Sequence, residues 1–398
     1  LKILSHFTVE GMSKELIETA KEWASIDPNH LTANHVLRLV AENKIEEIKK
    51  LFNGRIGFGT AGLRAKMEPG PLGMNDLTVL QASQGLAEYC RKHIPIDGGK
   101  KPMIVVGYDH RANANFNLSS KRFAVVTKLA MEHAGIKCIL LDGYVPTPLV
   151  AFSVEHLCEI HTDYTVVAGV MVTASHNPKQ DAGYKVYYCD GCQIRSPIDA
   201  GIADCIGRNL KPWFDYAAAL KQCENLNGAL TGKLETGQLC DMYYAAIGSK
   251  LVKGRYEATS KEFDEKWKEP KVVYTAMHGV GTPYAKRAFA IFGFPNTFYH
   301  VVPAQENPDP EFPTVSFPNP EEKGALDMAM EIAEEKGFDL IFANDPDADR
   351  LAVAERSRKT GEWTSFTGDQ IGTLLGKWMW DSYGKFSEKP VAMCASTV

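Results

Sequence analysis

The stretch Asp339-Leu340-Ile341-Phe342-Ala343-Asn344-Asp345-Pro346-Asp347-Ala348-Asp349-Arg350 decides how this chain is read. Leu340 to Ala343 is an apolar run of strand length, and the polar half that follows places three aspartates at alternate positions. Open α/β sheets bind ligands beyond the carboxyl ends of their strands, so a strand that empties into such a loop marks both a fold class and a site. The pattern recurs outward from this point. Met103 to Val106 runs into Gly107-Tyr108-Asp109-His110-Arg111, Thr165 to Val172 into Thr173-Ala174-Ser175-His176-Asn177-Pro178, and Val272 to Thr275 leads to His278-Gly279-Val280-Gly281. Lys137 to Leu141 reads as another buried strand, and Arg122 to Ala134 and Glu321 to Lys336 as intervening helices. The expectation is an α/β protein built from repeated modules with mixed, largely parallel sheets.

Composition sets the outer bounds. The 398 residues are 44% hydrophobic and 23% charged, enough apolar chain for two or three domains with cores of their own, which excludes a disordered or fibrous protein. A net charge of -5 comes from 44 basic and 49 acidic side chains mixed along the chain. No basic block offers to neutralise a phosphate backbone, so nucleic acid is not an expected partner. No apolar run approaches the roughly 20 residues that span a bilayer, and the N-terminus lacks a secretion pattern. Nine cysteines at irregular spacing read as reduced thiols and place the protein in the cytoplasm. Cys189 and Cys192 form a C-x-x-C, but with no second pair or nearby histidines they read as two ordinary thiols.

Residues 1 to about 50 carry helical periodicity, with Leu16, Ala20 and Trp23 on one face and Ile45, Ile48 and Leu51 on another. A polar, partly helical stretch from Lys211 to Lys268 separates two groups of strands, giving a first boundary near 225. The polar turn Arg356 to Gly361 before the helical Gln370 to Trp380 gives a second near 360. The expected domains are therefore 1–225, 226–360 and 361–398. Pro303 to Pro320 holds six prolines and reads as an ordered loop crossing the second domain.

Three carboxylates as close as Asp345, Asp347 and Asp349 repel one another, a cost that makes sense around a hard divalent cation such as magnesium. The alternative is a solvated acidic turn. An EF-hand does not fit, since Arg350 and Arg356 stand where glycine and glutamate are required. Arg350 offers a bidentate donor to a phosphate oxygen. Ser175, just past a strand, is a candidate nucleophile, although Ser-His-Asn alone equally describes a polar turn. Thr173 and Asn177 exclude a serine-hydrolase elbow. Lys185 could return a side chain to the same place, or be a surface charge. Gly57, Gly59 and Gly62 match G-x-G-x-x-G, yet no strand precedes them, and Pro69 and Pro71 forbid a helix soon after. Gly57 to Arg64 is then either a loop that approaches an anion, with Arg64 contacting it, or a flexible turn.

Gly59-Thr-Ala-Gly-Leu-Arg64, Thr173-Ala-Ser-His-Asn-Pro178 with Gly183-Tyr-Lys185, and Asp345-Pro-Asp-Ala-Asp-Arg350 stand in the order and spacing of the α-D-phosphohexomutases. The segment Lys179 to Val186 and the Pro-Asp-Pro and Pro-Asn-Pro repeats of Gln305 to Glu322 resemble most the phosphoglucomutase-2 and phosphopentomutase branch. The resemblance covers nearly the whole chain after residue 50. It implies a phosphorylated Ser175, with magnesium held by Asp345, Asp347, Asp349 and one oxygen of that phosphate. It further implies Lys185 as general acid or base, Arg64 and Arg350 as substrate-binding groups, and His176 as an accessory to catalysis.

The implied reaction interconverts glucose 1-phosphate and glucose 6-phosphate through a bisphosphate, with glucose 1,6-bisphosphate as activator and sugar phosphates as the only expected partners. Phosphopentose interconversion, synthesis of glucose 1,6-bisphosphate from a glycolytic bisphosphate donor, and an inactive sugar-phosphate-binding fragment are the alternatives. Two residues depart from the branch: Ala182 replaces an asparagine and Cys192 a small alanine. The family has four domains, so a chain that starts at Leu1 and stops at Val398 in a predicted strand reads as a fragment truncated within the third.

Overall fold

The computed structural model describes residues 9–96, 98–224, 231–252, 271–383 and 392–393. Helices α1 (Val9–Ile26), α2 (His30–Ala41) and α3 (Ile45–Phe52) form the expected helical lead-in. Asn29 starts α2 by accepting from the Leu31 N–H at 3.0 Å, a side-chain cap that satisfies an otherwise orphaned donor. The buried face carries Ala20, Trp23, Val36, Leu39, Ile48 and Phe52 into the same core as the first sheet.

That sheet contains β1 (Leu63–Lys66), β2 (Lys101–Tyr108), β5 (Lys137–Leu140), β6 (Tyr164–Val172) and β7 (Asp181–Tyr188), in the order β1-β7-β6-β2-β5. A short hairpin, β3 (Ala112–Asn113) with β4 (Leu118–Ser119), stands apart. Helices α4 (Asp76–His93), α5 (Ser120–His133) and α6 (Thr147–Ile160) connect the strands. Strands β6, β2 and β5 run parallel; β7 returns antiparallel to β6, and β1 antiparallel to β7. The alternation of side chains explains the apolar run of β2. Ile104 and Val106 enter one core with α4 and α5, while Met103 and Val105 enter a second core with Leu149, Val150 and Val154 of α6.

The second sheet repeats the wiring. Strands β8 (Val272–Thr275), β9 (Tyr299–Val301), β10 (Leu340–Asn344), β11 (Leu351–Arg356) and β12 (Trp363–Phe366) lie in the order β12-β11-β10-β8-β9. Here β10, β8 and β9 are parallel, and β11 and β12 are antiparallel returns. Strand β10 thus occupies the place of β6, and β11 that of β7.

Two particulars differ from the sequence expectation. The returns β7, β11 and β12 are strands, unread in the sequence because Gly183, Lys185 and the half-exposed residues of β11 and β12 break the apolar run. Residues 357–362, where the second boundary is expected, form the turn between β11 and β12. The helix expected from Glu321 begins at Asp327, after a turn with Gly324 at φ +85°. The boundary near 225 and the chain end at Val398 lie outside the described residues. Among those residues all eight cysteines are free thiols, and no helix is long and apolar enough to cross a membrane.

Candidate active site

The two loops that end β6 and β10 face each other. In the first, Ser175 takes a left-handed backbone (φ +53°), its N–H donates to Thr173 Oγ1 at 2.8 Å, and the Asn177 N–H donates to the Ala174 carbonyl at 3.1 Å. A non-glycine residue there is uncommon and signals a loop whose shape is imposed by its contacts. In the second, Asp345 Oδ1 accepts from the Arg350 N–H at 3.0 Å, and Asn344 Nδ2 donates to the Arg350 carbonyl at 2.6 Å. The His278–Gly281 segment backs this loop: the Val280 N–H donates to the Pro346 carbonyl at 2.9 Å, and a Cβ on Gly279 would lie 2.4 Å from Pro346 Cα. Only glycine allows that approach.

The loops meet through side chains. Ser175 Oγ donates to Asp345 Oδ2 at 2.7 Å, although the two residues are 170 positions apart. Lys185, on β7, donates from Nζ to Asp347 Oδ2 and Asp349 Oδ2, both at 2.7 Å. Thr147, at the start of α6, donates from Oγ1 to Asp347 Oδ2 at 2.5 Å and from its N–H to the Asp347 carbonyl at 2.9 Å. Asp345 and Asp347 are fully buried and Asp349 is exposed at the mouth.

Burial and the charges of Asp347 and Asp349 push the Asp345 carboxyl up to about 8. Burial acts the same way on Asp347, but the Lys185 ammonium together with hydrogen bonds from Asp345, Lys185 and Thr147 outweighs it and holds Asp347 below the usual carboxylate range. Burial opposes the charge on Lys185, and the two carboxylates in turn lift it above the ordinary lysine value. Oxygens of the three aspartates lie within 4.8 Å of one another, and Asp347 Oδ1 is buried without a donor. An all-oxygen, partly unsatisfied acidic cluster of this kind fits a hard divalent cation.

The other expected residues surround this centre. Arg64 lies on β1 opposite Gly183 and donates from Nη1 to Asn177 Oδ1 at 3.0 Å. Gly62 makes that register possible, since its φ is +74° and a Cβ there would lie 1.9 Å from the Tyr184 carbonyl oxygen. Arg350 contacts the cluster through its backbone, with its side chain exposed. His176 Nδ1 lies a long 3.4 Å from Ser175 Oγ; burial, then Arg350 and Arg64, press its ring down to about 4, so it is neutral at physiological pH. Ala182 is buried in the apolar core and Cys192 is exposed in the turn after β7.

Two residues escaped sequence reasoning. Thr147 is announced only by a helix start flanked by Pro146 and Pro148. Arg111 is fully buried and donates to four carbonyls of the serine loop, those of Ser175, Asn177, Pro178 and Asp181. Its signal was its place in a polar loop directly after a strand.

Comparison with known proteins shows the family of the chain. Residues 55–212 match the family described as phosphoglucomutase/phosphomannomutase, alpha/beta/alpha domain I, and residues 250–359 match domain II of that family, together more than half of the chain. The chain is 39% identical over 394 residues to a Homo sapiens phosphopentomutase, covering 98% of this chain and 60% of that protein. It is 41% identical over 405 residues to a Saccharomyces cerevisiae phosphoribomutase, covering 98% and 61%. It is 37% identical over 385 residues to a Homo sapiens glucose 1,6-bisphosphate synthase, covering 95% and 58%. The chain thus spans about three-fifths of the length of these relatives.

A crystal structure of a phosphoglucomutase/phosphomannomutase family protein from Burkholderia thailandensis superposes with a TM-score of 0.56 at 18% identity, over 83% of this chain and 59% of that one, which shows the shared fold. With two consecutive family domains matched and the two sheets wired alike, this chain belongs to the phosphoglucomutase/phosphomannomutase family, in the branch that includes phosphopentomutase and glucose 1,6-bisphosphate synthase.

Proposed function

We propose that this chain is the serine- and metal-bearing part of a phosphosugar mutase. The observation that carries the reading is the 2.7 Å hydrogen bond from Ser175 Oγ to Asp345 within a buried cluster of three carboxylates. A lone serine in an apolar sheet end would gain nothing from such a neighbourhood; a serine that accepts and releases a phosphoryl group needs charge compensation beside it.

In this reading Ser175 carries the phosphoryl group. Asp345, Asp347 and Asp349, with one oxygen of the phosphorylated serine, would hold magnesium, which would draw off negative charge from the transferring group. Phosphoryl transfer breaks the bond between Ser175 Oγ and phosphorus and forms one to a free sugar hydroxyl. Lys185, reaching the same carboxylates from β7, supplies a proton to the departing serine oxygen and regains one from the attacking sugar hydroxyl; in the return step it takes the proton of Ser175 Oγ and gives one to the departing sugar oxygen. Arg64 and Arg350 flank the serine loop and position the substrate's phosphate or reacting hydroxyl. His176, neutral by virtue of its surroundings, supports the serine rather than exchanging protons. Thr147 and the Val280 amide keep the acidic loop in place, which in-line transfer requires.

From the sequence resemblance, glucose phosphates are the first expected substrates. The names of the phosphopentomutase and phosphoribomutase relatives support a pentose phosphate as substrate; glucose phosphates come second, with glucose 1,6-bisphosphate as the proposed activator. Synthesis of glucose 1,6-bisphosphate is the second reading, supported by the relative of that name. Turnover of ribose 1-phosphate and glucose 1-phosphate, each primed with glucose 1,6-bisphosphate, tests the proposal. Bisphosphate formation only from a glycolytic bisphosphate donor would favour the second reading. Calorimetric binding of both sugar phosphates without any turnover would show a binding protein instead.

A further inference from the structure

We propose that Arg111 is a positioning residue: its guanidinium, latched by Phe312 of the second module, sets the loop geometry that presents Ser175 to the carboxylates. Arg111 follows β2 and is fully buried. Nη2 donates to the carbonyls of Ser175 at 2.6 Å and Asn177 at 2.7 Å, and Nη1 to those of Pro178 at 2.7 Å and Asp181 at 3.1 Å. Every terminal N–H of the fork is committed to the loop backbone. A rigid planar fork fixes four carbonyls relative to one another, whereas the point charge of a lysine cannot span them.

The fork is itself held from two sides. Asp109 Oδ2 lies 3.4 Å from Nε, and Asp109 Oδ1 accepts from Ser120 Oγ at 2.5 Å and from the Arg111 N–H at 3.1 Å. On the opposite side Phe312, from the proline-rich loop, stands with its ring 5.4 Å from the guanidinium carbon and 5.2 Å from the His110 ring. Phe312 is buried and has a φ of +47°, an outlier for a bulky residue that survives only where the surroundings over-determine it. At the surface the same two loops are tied by Lys179 Nζ and Glu311 Oε2, 2.7 Å apart. Docking of the second module therefore reaches Ser175 by two routes: directly through Asp345, and through Phe312, Arg111 and the loop carbonyls. The catalytic consequence rests on the phosphoserine reading; the loop geometry does not.

The test compares Arg111→Lys, Phe312→Leu and Phe312→Tyr with wild type in the full chain. Hydrogen exchange without ligand reads the loop through the amides of Ser175 and Asn177, with β2 and β8 amides as controls. Arg111→Lys and Phe312→Leu should each lower protection of the two loop amides at least about tenfold while leaving the strand amides unchanged, and Phe312→Tyr should match wild type. In turnover, Arg111→Lys should lower kcat about 100-fold with KM and magnesium affinity within about threefold.

Unchanged loop protection in Arg111→Lys, or loss shared equally by the strand amides, would overturn the proposal. If Arg111→Lys does not fold, wild-type protection in Phe312→Leu would do the same. A wild-type protein that never becomes phosphorylated on Ser175 would defeat the mutase reading alone, and the exchange data would still decide the positioning role.

Discussion

Replacing Lys185 by methionine removes an ammonium that bridges Asp347 and Asp349 at 2.7 Å each. The side chains of Lys185 and Asp347 are 8% and 0% exposed, so that pair belongs to the buried class, whose disruption costs roughly 3–5 kcal/mol because an uncompensated charge is left behind. Asp349 is 26% exposed and shares its charge with solvent, which favours the lower end, about 3 kcal/mol. For a cooperative unit of roughly 150–250 residues that is a fall in Tm of roughly 6–12 °C. A bound cation compensates the same carboxylates, so magnesium should raise Tm more in Lys185→Met than in wild type, while kcat stays low for want of the proton donor. Thermal unfolding by circular dichroism at neutral pH, with chelator and then with magnesium, measures both effects. The reasoning is refuted if the variant in chelator melts within about 1 °C of wild type, or if magnesium shifts both proteins equally.

Other changes separate the parts of the site. Ser175→Ala should lower turnover more than about a thousandfold with the fold retained, and Ser175→Gly, at a left-handed position, should be about 1 kcal/mol more stable than Ser175→Ala in chemical denaturation. Gly62→Ala places a Cβ 1.9 Å from the Tyr184 carbonyl oxygen, so it should unpair β1 from β7, displace Arg64 and raise KM for sugar phosphate in steady-state assays. Burial holds His110 neutral down to about 4, against Asp109 and Asp309, which favour its charge. Below the ordinary value of 6.5 the unfolded chain takes up a proton that the folded chain refuses. Stability is therefore lost as pH falls from 6.5 towards 4, by up to about 3 kcal/mol. Urea unfolding at pH 7 and pH 5 should show this loss, and His110→Phe, whose ring suits the gap between Tyr144 and Phe312, should flatten it.

The legible part of the fold was the part made of continuous chain. Strands β2, β6 and β8 are buried on both faces, β10 is buried on one face and half-buried on the other, and all four leave apolar runs, so that the loops that follow them, with Ser175 and the three aspartates, stand out by contrast. Strand β7 was hidden because its apolar positions, Ala182, Tyr184 and Val186, are interleaved with Gly183 and Lys185, and only its pairing with β6 makes it a strand. Arg111 and Thr147 act at separations of 64 and 200 residues, distances at which spacing carries no signal. Arg111 also lacks any ligand-like pattern, because its partners are backbone carbonyls that every residue possesses. The proline-rich segment was legible as an ordered loop, but its use of Phe312 to cover Arg111 depends on how the two modules dock.

The central claim is that Ser175 receives a phosphoryl group beside the aspartate cluster. Intact mass and phosphopeptide mapping after incubation with glucose 1,6-bisphosphate and magnesium test it directly. One phosphate should appear, on Ser175; it should be discharged by ribose 5-phosphate or glucose 6-phosphate, and be absent with chelator or in Asp345→Ala. Phosphate on another residue, or equal labelling of Ser175 in Asp345→Ala, would contradict the account.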